Sequence, residues 1–273
     1  MAALRLAGAV PLLGDLDRPE TLSRLAGLAG SVLHLAPPPA SGGVDTRTRH
    51  LLSALVCRGG APSRIVYAST SGVYGDCGGA LIDETRAVQP RNPRAIRRVD
   101  AERQLREFGI QQETRTTVLR IPGIYAADRA GGDPRDRLAR GTPVLRTEDD
   151  VFTNHIHADD LARACVAALF RGRPQRVVNA CDDTEMRMGD YFDLAADIGR
   201  MPRPQRIARA EAAEYFSPMA MSFMDESRRI GNDRLKHELG VRLRYPTVRE
   251  GLAAIAPAVP ASDVKSPEAG AAS

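Results

Sequence analysis

Two adjacent hydroxyls, Thr70 and Ser71, stand at the end of Arg64-Ile-Val-Tyr-Ala-Ser-Thr-Ser-Gly-Val-Tyr-Gly-Asp76. The apolar run reads as a buried strand and the small residues after it as a turn, so the strand delivers both hydroxyls to its C-terminal end. A donor placed there can hydrogen-bond an oxygen on which charge develops. Downstream lies Arg94-Ala-Ile-Arg-Arg98. Guanidinium stays protonated at any useful pH, so neither Arg94 nor Arg98 can take a proton from a substrate. Arg98 can give charge and hydrogen bonds to a ribose or phosphate, and Arg94 can hold an anionic substrate. A solvated helix face explains both equally well.

The run Asn154-His155-Ile-His157-Ala-Asp159-Asp160 places His155 and His157 on the same side of a strand. Zinc needs three or four close ligands and no fourth is evident, so no metal is expected. Asn154 and His155 remain candidates for lining a substrate pocket, against a structural reading. Tyr74 and Tyr125 are candidates for a relocated base, although a packed ring with a satisfied hydroxyl is the plainer reading of each. No Gly-x-Ser-x-Gly elbow, Cys-His pairing or phosphate-binding loop points to a hydrolase or kinase.

These groups need elements to hold them. The leucines at 22, 25 and 28 suit one face of a helix over 18–28, and residues 45–57, 94–108, 159–170 and 189–198 also read as helices. Strands are expected at 9–13, 31–36, 64–68, 116–121, 153–156 and 176–179, with a short helix at 135–140. Strands alternating with helices imply right-handed crossovers and a doubly wound parallel α/β sheet. Residues 211–226 carry three methionines and two phenylalanines, which suits a packed cap or hinge, or more sharply a dimer surface or ligand lid. The Ala-, Pro- and Ser-rich stretch 256–273 reads as a disordered tail.

Composition narrows the partners. The 273 residues carry a net charge of +4, nearly all of the positive charge being arginine, since Lys236 and Lys265 are the only lysines. Basic residues interleave with acids rather than forming a block, and no zinc-finger spacing or basic helix occurs, so nucleic acid is not an expected partner. No apolar run is long enough to span a membrane and no secretory signal opens the chain, which makes a cytoplasmic location the default. Cys57, Cys77, Cys165 and Cys181 lie far apart, as reduced thiols do.

The Ser-Thr-Ser turn ahead of Val-Tyr-Gly resembles the fifth-strand motif of the extended short-chain dehydrogenases, the NAD-dependent epimerase/dehydratase family. The resemblance covers about residues 9–252 and includes Arg228-Arg-Ile-Gly-Asn232, Leu235, Glu-Leu-Gly240 and Pro246-Thr-Val-Arg-Glu-Gly251. It implies a Rossmann-like sheet with a small C-terminal substrate domain. The expected division is 1–126 for cofactor and 127–255 for the substrate-binding segment and last sheet elements. Thr70, four places before the Tyr-Gly pair, takes the role of polarising the substrate's reacting oxygen, helped by Ser71. NAD or NADP is the implied cofactor and a hydroxylated small molecule, a sugar nucleotide among the options, the implied substrate. Asp15 and Leu16 would meet the adenine, Leu35, Ala36 and Pro37 the ribose and pyrophosphate, and Pro122 the nicotinamide. An N-cap by Asp15 or Asp17 is the structural alternative at the first of these. The resemblance also makes Asp159 the cap of the helix it opens.

Two family features are missing. The Tyr-x-x-x-Lys pair, whose tyrosine acts as general base, has Arg94 and Arg98 in its places by register from Pro93 and the Ala-Glu pair at 101–102. The glycine-rich turn that cradles a pyrophosphate is also absent, since Gly27 and Gly30 follow a helix and Gly59-Gly60 precede a strand. If 9–13 is the family's third strand, one βαβ unit is lacking and the sheet is N-terminally incomplete. The reading favours a start at an internal methionine over a real truncation, and expects a chain that is poorly stable alone or fills the gap through a partner. A non-catalytic NAD(P)-binding regulator is the competing reading, and a homodimer is an open expectation.

Overall fold

The computed structural model describes residues 2–57, 60–129 and 131–255. A short helix α1 (Ala2–Leu6) opens the chain, followed by an irregular stretch and a 3₁₀ segment Pro19–Leu25. Then come β1 (Ser31–His34), α2 (Thr46–Val56), β2 (Arg64–Thr70), β3 (Leu81–Ile82), α3 (Pro93–Gln111), β4 (Arg115–Ile121) and β5 (Gly123–Tyr125). The later part holds α4 (Pro134–Ala139), β6 (Val144–Leu145), β7 (Phe152–Thr153), β8 (His155–His157), α5 (Ala158–Arg171) and β9 (Arg176–Asn179). It continues with β10 (Met186–Arg187), α6 (Met188–Gly199), β11 (Arg206–Ile207), α7 (Ala212–Tyr215) and α8 (Pro218–Met224). Last are β12 (Arg229–Ile230), α9 (Asp233–His237) and α10 (Val248–Ile255).

The central sheet is parallel, in the order β1-β2-β4-β9. Side chains alternate across it, as strand geometry requires. Ile65, Tyr67 and Val118 pack with Leu51, Leu52, Leu55, Leu105 and Phe108 of α2 and α3 on one face. Val66, Leu119, Ile121 and Val178 pack with Ala164, Cys165 and Ala168 of α5 and with Leu235 of α9 on the other. Helices therefore cover both faces, which is the doubly wound arrangement. A separate cluster joins Tyr125 to Leu138, Val144, Tyr191, Phe192, Val248 and Leu252. Capping fixes the helix starts: Asp45 accepts from the Thr48 amide at 3.1 Å, and Asn92 accepts from Ala95 at 2.9 Å with Pro93 at the first helical position.

Three expectations are corrected. Residues 9–13 form no strand: they run without a sheet partner, and Val10 and Leu13 are 86% and 84% exposed. An apolar sequence becomes a strand only where a neighbour takes its amides and carbonyls, and none of the described strands lies beside it. Residues 18–28 are a shorter 3₁₀ turn rather than a helix of that length, with Arg18 rather than Asp15 or Asp17 at its N-cap position. The cap of α5 is His157, whose Nδ1 accepts from the Asp159 amide at 3.2 Å, not Asp159 itself. The expected tail, 256–273, lies outside the described residues.

Beneath the β2 turn lies a buried ion pair. Arg120 of β4 donates from Nη2 to Glu102 Oε2 at 2.7 Å, with both side chains at 10% exposure or less. Ser69 donates to Glu102 Oε1 at 2.6 Å, and the Tyr74 ring lies 4.7 Å from the Arg120 guanidinium carbon. Removing one partner strands the other charge in low dielectric, at a cost of about 3–5 kcal/mol. Arg120→Met should lower unfolding free energy in urea by about that amount, and Glu102→Gln added to it should recover most of the loss. A loss below about 1 kcal/mol for Arg120→Met would contradict the pairing.

Candidate active site

Thr70 ends β2, and Ser71 begins a 3₁₀ turn over Ser71–Tyr74. The Thr70 Oγ1 accepts a hydrogen bond from the Gly72 amide at 3.3 Å, so its own proton remains free to donate to a ligand oxygen. The turn closes through Gly75 at φ +66°, where a Cβ would sit 2.2 Å from the Gln89 carbonyl oxygen; only glycine fits there. Tyr74 is fully buried and donates to Asn179 Oδ1 at 2.7 Å, and burial raises its pKa. A phenol so enclosed has a satisfied hydroxyl and serves packing. Tyr125 is likewise buried, with its pKa raised by burial and its hydroxyl 3.5 Å from the Thr247 carbonyl.

The arginines separate. Arg98 is buried, and its Nη1 donates to the Tyr67 hydroxyl at 2.8 Å and to the Ala68 carbonyl at 2.6 Å, one residue pair back from Thr70. It has no carboxylate partner among the described residues, and its Nε is buried without an acceptor. Arg97, beside it, is also buried and holds the loop at 40–42 through the Gly42 and Ala40 carbonyls. Arg94 lies exposed on the first turn of α3, its guanidinium carbon 6.0 Å from the ring of Phe223 on α8. Positive charge is thus concentrated at the start of α3, near the turn bearing Thr70.

Glu226 was not marked out in the sequence. It is buried, accepts from Arg228 Nη1 at 2.8 Å and, more loosely, from Asn92 Nδ2 at 3.4 Å. A Cβ built on Gly72 would lie 3.6 Å from Thr70 Oγ1 and 4.0 Å from Glu226 Oε2, so the carboxylate and the hydroxyl flank the same glycine. The segment reaches the turn because β12 pairs with β3, Arg228 Nη1 donates to the Gly75 carbonyl, and the Ser227 amide donates to Asp76. Glu226 follows Asp225 in a stretch whose apolar residues dominate its pattern, and its approach to Gly72 and Asn92 crosses most of the chain, so only the folded chain reveals it.

Asn154 is occupied on both sides of its amide: Nδ2 donates to the Arg228 carbonyl and Oδ1 accepts from the Ile230 amide, each at 2.9 Å. It ties the start of β8 to Arg228 and to β12, just downstream of Glu226. His155 is buried, stacked on Tyr191 with ring centroids 4.0 Å apart, and burial pushes its pKa down to about 3. Pro122 follows Ile121, the sheet partner of Thr70, and so stands next to the turn. Leu35, Ala36 and Pro37 follow β1, while Asp15 and Leu16 precede the 3₁₀ segment Pro19–Leu25. There Asp15 Oδ1 accepts from the Asp17 amide and the Leu16 carbonyl contacts His50 Nδ1 at 2.7 Å. No cluster of three metal-binding side chains occurs among the described residues.

A dinucleotide needs a run of backbone amides for its pyrophosphate, normally from a glycine turn leading into a helix. No described segment beside β1 supplies that turn, so the residues present do not fit this part of the cofactor. The model for the NAD dependent epimerase/dehydratase family matches residues 18–181. The chain belongs to that family. Its relatives include the GDP-6-deoxy-D-mannose reductase of Pseudomonas aeruginosa, 29% identical over 231 residues, 74% of this chain and 76% of that one. The UDP-glucose 4-epimerase of Azospirillum brasilense is 27% identical over 191 residues, 66% of this chain and 50% of that protein. A conserved protein of unknown function from Silicibacter pomeroyi has a solved structure that superposes with a TM-score of 0.75. It is 32% identical, and the match covers 93% of this chain and 85% of that one. The family's Rossmann-type α/β architecture is therefore the architecture of this chain, and no described helix is long and apolar enough to cross a membrane.

Behind β8, Asp182 is buried and donates its amide to the His155 carbonyl at 2.8 Å, while its Oδ2 has no partner. Burial raises its pKa to about 7, with Asp183 and Asp160 adding to the effect. A carboxyl whose pKa is higher folded than unfolded holds its proton more tightly in the native state. Its contribution is complete below about pH 4 and lost as pH rises through about 7. Asp182→Asn should therefore remove part of the fall in stability between pH 5 and pH 8, raising stability at pH 8 by roughly 2–4 kcal/mol in thermal or urea unfolding. An unchanged pH profile would show that Asp182 does not titrate in this range.

Proposed function

We propose that this chain is an oxidoreductase of the epimerase/dehydratase type that takes a hydroxylated small molecule, specifically a sugar nucleotide, at the Thr70–Ser71 turn. The observation that carries the reading is the Thr70 hydroxyl at the end of β2: its oxygen accepts from the Gly72 amide, and no described acceptor takes its proton. Two of its family relatives are a reductase of a GDP-linked sugar and an epimerase of a UDP-linked sugar, which supports the substrate class. NAD or NADP is the cofactor that the family supplies. A turn that would hold its pyrophosphate is not among the described residues.

Thr70, with Ser71 beside it, would hydrogen-bond the substrate oxygen at the reacting carbon. Arg98 keeps the backbone at Ala68 and the Tyr67 hydroxyl in place and contributes positive charge, and Arg94 and Phe223 stand where a substrate's anionic or flat part could rest. A second reading has its own observation. Arg94 and Arg98 occupy the places of the family's tyrosine and lysine, and neither can act as a base at neutral pH. That substitution suits an NAD(P)-binding regulator without turnover.

A panel of UDP- and GDP-linked sugars, each with NAD⁺, NADP⁺, NADH or NADPH at millimolar concentration, distinguishes the readings. Turnover with any pair supports the oxidoreductase, cofactor binding without turnover supports the regulator, and neither overturns both. For an active pair, Thr70→Ala should lower kcat by roughly ten- to a thousandfold, because a donor to developing oxyanion charge contributes a few kcal/mol. An unchanged kcat would remove Thr70 from the chemistry.

A further inference from the structure

Away from the Thr70 turn, a slot of about 230 Å³ opens between α3 and β9, on the face of the sheet that α3 covers. Helix α3 lines it with Val99, Glu102, Arg103 and Arg106, spaced as i, i+3, i+4 and i+7 on one helical face. The sheet lines it with Val118 and Arg120, alternate residues of β4, and with Val177 of β9, the strand partner of Val118. Charge in the slot is one-sided. Its carboxylate is already engaged, since Glu102 Oε1 accepts from Ser69 and Arg120 Nε, and Oε2 accepts from Arg120 Nη2. Three guanidiniums stand against it, an excess of two positive charges among the lining groups. The Arg120 side chain is 7% exposed, and its remaining nitrogen, Nη1, is buried without a hydrogen-bond partner. Such a donor is costly unless something accepts from it. Arg103 gives Nη2 to Asp100 at 2.7 Å, while Arg106 is exposed and makes no ion pair among the described residues.

We propose that the slot is a second binding site, for a small phosphate monoester with an apolar body. The phosphate rests on Arg103, Arg106 and Nη1 of Arg120, and the body lies against Val99, Val118 and Val177. A phosphate dianion matches the charge excess, and guanidinium forks are strong, geometrically matched partners for its oxygens. A carboxylate brings half that charge. The valines gain nothing from a free inorganic ion, so they call for an organic body that covers them. That body is small, because sites for drug-sized ligands measure roughly 300–1,000 Å³. None of Thr70, Ser71, Arg94, Phe223 and Glu226 lines the slot, so it is separate from the turn. The two meet at the Glu102–Arg120 pair: Arg120 borders the slot, and Ser69, next to Thr70, donates to the partner carboxylate.

Calorimetric titration of the full chain with phenyl phosphate tests the assignment, with inorganic phosphate and benzoate as comparison ligands. Phenyl phosphate should bind at one site per chain with submillimolar affinity. It should bind about tenfold or more tighter than inorganic phosphate, which lacks the apolar body, and than benzoate, which lacks the second charge. Arg106→Ala trims an exposed side chain, so it should fold normally, and it should weaken phenyl phosphate about tenfold or more. Arg94→Ala, beside the Thr70 turn, should leave that affinity unchanged, which separates a failure of this site from a failure of the reading of the turn. Amide chemical shifts of the unmodified protein give a second readout: phenyl phosphate should move amides within 99–106 and 175–177. No binding, equal affinity for either comparison ligand, binding that Arg106→Ala leaves intact or Arg94→Ala abolishes, or shifts confined to the Thr70 turn would each overturn the proposal.

Discussion

The buried pair of Glu102 and Arg120 is the contact on which the site depends. It joins α3 to β4 directly beneath the end of β2, and Ser69 donates to the same carboxylate. Desolvating two charges is costly and is compensated here by good geometry, with Nε and Nη2 both engaged on one carboxylate. The consequence is positional rather than a large net gain in stability. With Ser69 held from below and Gly75 forced to its left-handed conformation from above, Thr70 and Ser71 between them have little freedom. From Tyr74 the same network runs on through Asn179 to the carbonyl of Gly231, so the C-terminal strand that brings Glu226 is tied to the turn at both ends.

The β2 strand and the turn after it were legible in the sequence because their signal is local. An apolar run, small residues and a glycine at a fixed distance specify a strand and a tight turn whatever surrounds them. The same holds for α2, α3, α5 and β9, whose positions follow from periodicity and caps. The Val10–Leu13 segment shows the limit. Its composition suits a strand, but a strand exists only with a neighbour, and that depends on residues elsewhere. Glu226 shows another limit, since its contact with Asn92 spans 134 residues of chain. Arg98 was visible as a substitution in a motif, yet its bonds to Tyr67 and Ala68 could not be read from spacing.

The two halves of the site are unequally furnished. Around the β2 turn stand the Thr70 hydroxyl, the buried Glu226 carboxylate, the exposed Arg94 guanidinium and the Phe223 ring. Beside β2, Arg98 lies buried with an unused Nε, and no described segment beside β1 forms a glycine turn leading into a helix. Arginine in the lysine place keeps the charge and not the ability to release a proton. In the proposed reading, the described residues therefore serve the substrate oxygen better than they serve a dinucleotide.

Calorimetric titration of the purified chain, with UDP-glucose and with NADPH in separate experiments, addresses that imbalance directly. Binding of the sugar nucleotide with NADPH affinity in the millimolar range or weaker is the result this account predicts. Micromolar NADPH binding by the same chain would contradict it, because the pyrophosphate would then have found donors that the structure does not provide.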